Sequence, residues 1–159
     1  MTNDATFEDG QEAPLNLGAL DAADLQVISS LAQDAVFAAA EMRWVAPQRR
    51  FALFLNRFRW EDGEAARQRG RAFERVQSLL VVDDVLRIAS QGIDRGDKDM
   101  VLSLLSVSFE PGEDGGGHVL LTLAGDGAIR LEVEALNATL KDVTRPYVAP
   151  SKKAPDHPA

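Results

Sequence analysis

The run FALFLNRFRW, residues 51–60, alternates in hydrophobic character. Phe51, Leu53 and Leu55 share one face of an extended chain and Ala52, Phe54, Asn56, Phe58 and Trp60 the other, because successive strand side chains point to opposite sides. Arg57 and Arg59 fall in register with the leucine face. The alternation therefore predicts either that the strand end leaves the core there or that a bulge swaps its faces. Comparable runs occur at 36–46 and in FERVQSLLVV, VLRIAS, VLSLLSVSFE, GHVLLTLA, AIRLEVEA and NATLKDV, which gives about eight strands. One segment, LDAADLQVISSLAQDAV, has the helical period instead: Leu25, Ile28, Leu31, Ala32 and Ala35 make a single apolar stripe. Asp21 is placed to cap that helix, Asp24 falls at N3 near the free amide groups, and Leu20 can staple to Leu25.

The links between the strand runs are short and none after residue 36 holds a credible crossover helix, which favours antiparallel pairing over βαβ winding. Pro47 marks a connection between strands, since it cannot donate to a central ladder. Asp126-Gly127 fits a tight hairpin turn and PGEDGGG, residues 111–117, a looser one. The expected fold is α+β: about eight mostly antiparallel strands form a bent sheet or incomplete barrel, preceded by one packed N-terminal helix. The strands divide into two groups of four with a shared plan, with Trp44 and Phe109 standing before comparable turns, which suggests duplicated four-strand halves. A pleckstrin-homology-like shape is the alternative, although such folds usually place their helix after the strands. The organisation expected is an acidic, flexible arm over residues 1–16, a single domain over 17–144 and a proline-rich flexible tail over 145–159.

Charge changes this picture in one region. The chain has 17 Lys and Arg against 25 Asp and Glu, a net charge of -8, which discourages association with polyanions and anionic membranes. Yet nine arginines lie between Arg43 and Arg75 against four acids. The arginines there are placed to meet an anion or an acidic protein, with Trp44, Trp60, Phe54 or Phe58 available for stacking. Equally, their stems can cover apolar edges while their charges pair with acids of the second half.

No cysteine is present, so thiolate catalysis, zinc-cysteine sites and iron-sulfur ligation by this chain are excluded, and a reducing compartment suits the composition. The first residues carry no basic leader or apolar core of a signal peptide, and no apolar run reaches the length of a membrane span. The expected location is the cytoplasm, with no membrane partner. Asp94, Asp97 and Asp99 in GIDRGDKDM resemble a charged turn more than a calcium loop. PGEDGGG lacks the lysine and hydroxyl residue of a phosphate loop, and Glu132 and Glu134 read as solvent positions of a strand. No metal and no cofactor are expected. His118, beginning the GHVLLTLA strand, is the weak candidate for an acid or base, and it has no accompanying nucleophile motif.

LDAADLQVISSLAQDAV, RRFALFLNRFRWE, AFERVQSLL, VLSLLSVSFEPGE and GGHVLLTLAGDGAIRLEVEALNATLKDV resemble an uncharacterised bacterial family, mainly alphaproteobacterial, known as a domain of unknown function. The resemblance spans about residues 17–145 and implies a small single-domain protein, with no activity or catalytic residue to carry over. The interaction candidates are therefore chosen on chemistry alone: Arg49, Arg50, Asn56, Arg57, Arg59 and Trp60. They point to a non-enzymatic interaction or self-association domain, its partner a second copy or an acidic protein, with Arg57 and Arg59 rimming an exposed apolar patch. Binding of a small anionic ligand, catalysis at His118 and nucleic-acid binding are the alternatives, the last disfavoured by charge.

Overall fold

The computed structural model describes residues 14–62, 74–94, 96–145 and 147–148. Along the chain they form β1 (Asn16–Ala19), α1 (Ala22–Ala32), β2 (Val36–Ala38), β3 (Met42–Val45), β4 (Arg50–Phe58), β5 (Glu74–Val82), β6 (Val85–Gln91), β7 (Val101–Pro111), β8 (Gly117–Leu123), β9 (Ala128–Val133), β10 (Ala138–Asp142) and β11 (Tyr147–Val148). All belong to one open antiparallel sheet of order β1-β10-β5-β4-β2-β7-β8-β9-β6, with β3 also on β4 and β11 also on β5. The α+β class with one helix on an antiparallel sheet therefore holds.

The count rises above eight for local reasons. The run 36–46 is two strands, because Ala39–Glu41 forms a single 3-10 turn between β2 and β3, where a stretch of alanines offers little side chain to a pleated surface. A four-residue strand precedes the helix, so the helix is second in the chain. At the other end, Tyr147 and Val148 pair with Arg75 and Glu74, so part of the segment expected to be a tail joins the sheet. Residues 146 and 149–159 of that segment, and residues 1–13 of the arm, lie outside the described residues.

Helix α1 starts as its sequence predicts, with the Asp21 carboxylate accepting from the Asp24 amide at 2.8 Å. The expected staple does not form: Leu25 is fully buried while Leu20 is 73% exposed. Leu25, Ile28 and Ala32 enter the core, and the helix packs across β7, β1, β4 and β10. The Asp126-Gly127 turn falls one residue earlier, with the left-handed positions taken by Gly125 and Asp126 at φ 77° and 67°, because an aspartate tolerates that region better than most residues.

The strand order from β10 to β6 is a palindrome. Exchanging β2, β4, β5 and β6 with β7, β8, β9 and β10 reverses the path and leaves it unchanged. Each half runs as a meander whose fourth strand crosses to the other half: β6 leaves β5 to pair with β9, and β10 leaves β9 to pair with β5. The two crossing links bind one another, Asp83 N–H to the Asn137 carbonyl and Glu134 N–H to the Asp84 carbonyl, both at 2.9 Å. This symmetry agrees with two duplicated four-strand halves. The shared core runs through both, from Leu53, Leu55 and Leu80 to Leu104, Leu121 and Leu131.

Candidate binding groove and the buried arginine cluster

Strand β4 keeps its alternation as far as Arg57, after which Phe58 is buried as well. Phe51, Leu53, Leu55 and Arg57 are all buried on the core side, and the β4–β5 register is unshifted from Phe51 to Phe58. Arg57 thus neither leaves the core nor follows a bulge; it is fully buried. A buried charge persists only with partners for its charge and its donors, and Arg57 has them. Its Nη2 donates to Asp142 Oδ1 at 2.9 Å and to Glu61 Oε2 at 2.8 Å. Its Nη1 donates to Glu61 Oε1 and to the Phe58 carbonyl, and its Nε to Ser78 Oγ. Ser78 Oγ in turn donates to Asp142 Oδ1 at 2.7 Å, and Asp142 Oδ2 accepts from the Leu15 amide. One cluster therefore ties β4, β5, β10 and the entry to β1.

Burial alone would lower the pKa of Arg57. The hydrogen bond and charge of Glu61, followed by the charge and hydrogen bond of Asp142, outweigh it and hold the pKa above its ordinary value. For Glu61, burial would raise the pKa, but the hydrogen bond and charge of Arg57 prevail and hold it below the usual carboxylate range. The cluster is a locked ion pair with its donors committed, an arrangement for holding strands together rather than for transferring protons.

The other nominated residues are also engaged. Arg59 is buried and paired with Glu74, so the expectation that Arg57 and Arg59 rim an exposed patch is overturned by the acids that meet them. Trp60 donates from Nε1 to the Gln33 carbonyl at the end of α1 and lies 5.5 Å from the Phe58 ring. The Asn56 side-chain oxygen accepts from the Tyr147 hydroxyl at 2.8 Å. Arg49 and Arg50 are exposed and pair with Glu134 and Asp83, acids of the two crossing links.

A concavity of ≈ 760 Å³ lies elsewhere, between β3 and β6. Met42 and Trp44 form the wall on the β3 side, and Ile88 and Ile93 line it from β6 and the loop beyond. At its base are Phe51 and Ile129, both core residues. Arg43 and Lys98 also line it, and among the described residues no acid does. Among the described residues neither cation forms an ion pair. Trp44 remains 39% exposed. The volume falls in the range of small-molecule sites, which are mostly apolar with a few placed polar groups. Arg43 and Trp44 belong to the basic, aromatic region read from sequence. Lys98 and Ile93 belong to the GIDRGDKDM loop and Ile88 to a separate strand, and nothing local in the sequence signals that they meet.

His118 lies outside this groove. Its cross-strand neighbours are Glu110 on β7 and Glu132 on β9, and Arg87 stands opposite Glu132. These four make a row on the face opposite the core, since Val119 and Leu121 beside His118 point inward. Among the described residues no hydrogen bond joins His118 to either carboxylate, so the convergence expected of a catalytic site is not formed there. In the GIDRGDKDM loop, Asp94 and Asp97 accept from the Gly96 and Asp99 amides, which is turn chemistry. No helix among the described residues is long and apolar enough to cross a membrane.

An open antiparallel sheet with one helix packed on it defines a small α+β domain. The chain belongs to the family described as Protein of unknown function (DUF2948), whose model matches residues 15–157 and so spans every strand. No curated protein and no solved structure matches it.

Proposed function

We propose that this protein is a non-enzymatic binding domain whose site is the β3–β6 groove and whose ligand is an amphipathic anion. The observation that carries this reading is the pairing of an apolar base with two cations that have no acid beside them in the lining. In a chain of net charge -8, the other exposed cations nominated from sequence, Arg49 and Arg50, are neutralised by Glu134 and Asp83. Arg43 and Lys98 have no ion pair among the described residues and are placed to meet an anionic ligand, and the aromatic face of Trp44 supplies contact area beside them. The absence of cysteine supports placing the module in the cytoplasm.

The test uses Trp44 as reporter. Titration with decanoate should give a saturable change in tryptophan fluorescence, and decyltrimethylammonium should give none. The change should vanish in Trp44→Phe, which retains Trp60. In the Arg43→Ala/Lys98→Ala variant the affinity should fall about tenfold, the range expected for two partly solvated ion pairs. Equal responses to the anionic and cationic amphiphiles, or a response that survives Trp44→Phe, would overturn the assignment.

A further inference from the structure

The groove is a seam in the sheet, fastened at both ends. At one end the Val85 amide donates to the Arg49 carbonyl at 2.9 Å, joining the start of β6 to the β3–β4 turn. At the other, the Ala39 and Ala40 amides donate to the Met100 and Lys98 carbonyls at 2.8 and 3.1 Å. Between these fastenings β3 pairs only with β4 and β6 only with β9, and among the described residues no hydrogen bond crosses from one to the other. Two strand edges therefore face the same concavity, whose base is apolar. An edge of this kind is a template for another strand.

The symmetry of the fold shows how such an edge is satisfied. Strand β10 holds the position in one half that β6 holds in the other. The second edge of β10 is taken by β1, with Asn16 through Ala19 opposite Lys141 through Ala138. On the far side of that strand α1 packs against β7, and Ser29 Oγ accepts from the Val107 amide at 2.8 Å. The N-terminal unit thus fills in one half the seam that lies between β6 and β3 in the other. Strand β1 sends Ala19 to the core and leaves Asn16 exposed, the pattern of an amphipathic strand.

We propose that the seam takes an extended acidic peptide, added as a strand along β6 as β1 is added along β10. This rests on the groove being an anion site, and it names the occupant. Backbone pairing supplies affinity, alternate side chains enter the concavity, and specificity follows from what they meet. Apolar residues of the peptide face Ile88, Ile129 and Trp44, while its carboxylates reach Arg43 and Lys98 at the two sides of the lining. A free fatty acid would use the cations and the floor but leave both strand edges unpaired, whereas a peptide uses all three features.

The probe is a labelled eight-residue peptide alternating glutamate with valine, followed by fluorescence anisotropy on the full chain. Saturable binding is expected, weakened at least tenfold when lysine replaces glutamate and again when alternate peptide nitrogens are methylated. Amides of residues 86–91 should gain protection from hydrogen exchange on binding. If the glutamate peptide and its methylated form bind equally without protecting β6, strand addition is wrong while the anion site stands. If neither this peptide nor decanoate binds, both readings fail together. A dimer that protects β6 and that the peptide does not dissociate would assign the edge to a second copy and overturn the proposal.

Discussion

Strands β10 and β6 occupy corresponding places at opposite ends of one symmetric path, yet they are finished differently. On β10 the outer edge carries β1, and Asp142 at its end neutralises a fully buried arginine. Among the described residues the outer edge of β6 has no strand paired with it, and the cations near it, Arg43 and Lys98, are without ion pairs. The difference separates two uses of positive charge in one chain. Where the sheet is completed, charge is absorbed into the structure; where it is left open, charge is left available.

Breaking the completed end should have the largest effect. Asp142→Ala leaves Arg57 buried with Glu61 as its remaining carboxylate and removes acceptors from Ser78 and Leu15. Truncating one partner of a buried pair costs about 3–5 kcal/mol, so the urea midpoint should drop steeply. An unchanged midpoint would show that the cluster does not hold β1 and β10 together. By comparison, Glu61→Gln removes the charge and keeps one acceptor for Arg57, its amide NH2 taking the place of the second, at a side chain that is 32% exposed.

That variant also gives the pH dependence. Because the folded-state pKa of Glu61 is depressed, its contribution is fully present above the ordinary glutamate range of about 4.3 and is lost as pH falls through the lower folded value. At pH 7 Glu61→Gln should be less stable than wild type by on the order of 1 kcal/mol, discounted for solvent exposure. The gap should close as the medium is acidified below pH 4. Denaturation midpoints measured across that interval would break the argument if the gap stayed constant.

The asymmetry of these ends explains what could be read from sequence. The cap at Asp21 was legible because donor and acceptor are three residues apart, and the β4 alternation because side-chain direction is local. The fate of Arg57 was not, since Asp142 lies 85 residues away and only the β4–β5–β10 pairing brings it near. Arginine in a strand reads as a surface residue until its acids are located. The groove was hidden for the same reason: Arg43 and Trp44 stood in the nominated basic region, but the other wall comes from β6, whose crossing to β9 no nearest-neighbour signal announces. The two four-strand halves were partly visible in the repeated plan of runs and turns, and their exchange of a fourth strand was not.

A smaller effect should follow at the edge of β5. Tyr147→Phe removes the hydroxyl that donates to Asn56 and leaves the ring in place. The loss should be about 1 kcal/mol, the usual net worth of such a bond. If β11 contributes to the completed half, amide exchange at Arg75 and Tyr147 should accelerate together. Acceleration elsewhere but not there would detach β11 from that half.

The smallest effect belongs to the open end, and it sharpens the comparison most. Arg43→Ala and Lys98→Ala remove charges that no acid offsets among the described residues, so the doubly substituted protein should match the wild-type urea midpoint within about 0.5 kcal/mol. Set beside Asp142→Ala, this contrast would show that charge at β10 serves stability and charge at the groove does not. A gain in stability would point the same way more strongly, because two like charges held over an apolar floor repel one another and are relieved on removal. Residues whose loss stabilises a fold are commonly retained for function. A large loss would instead make Arg43 and Lys98 structural, and the two ends of the sheet would then use charge alike.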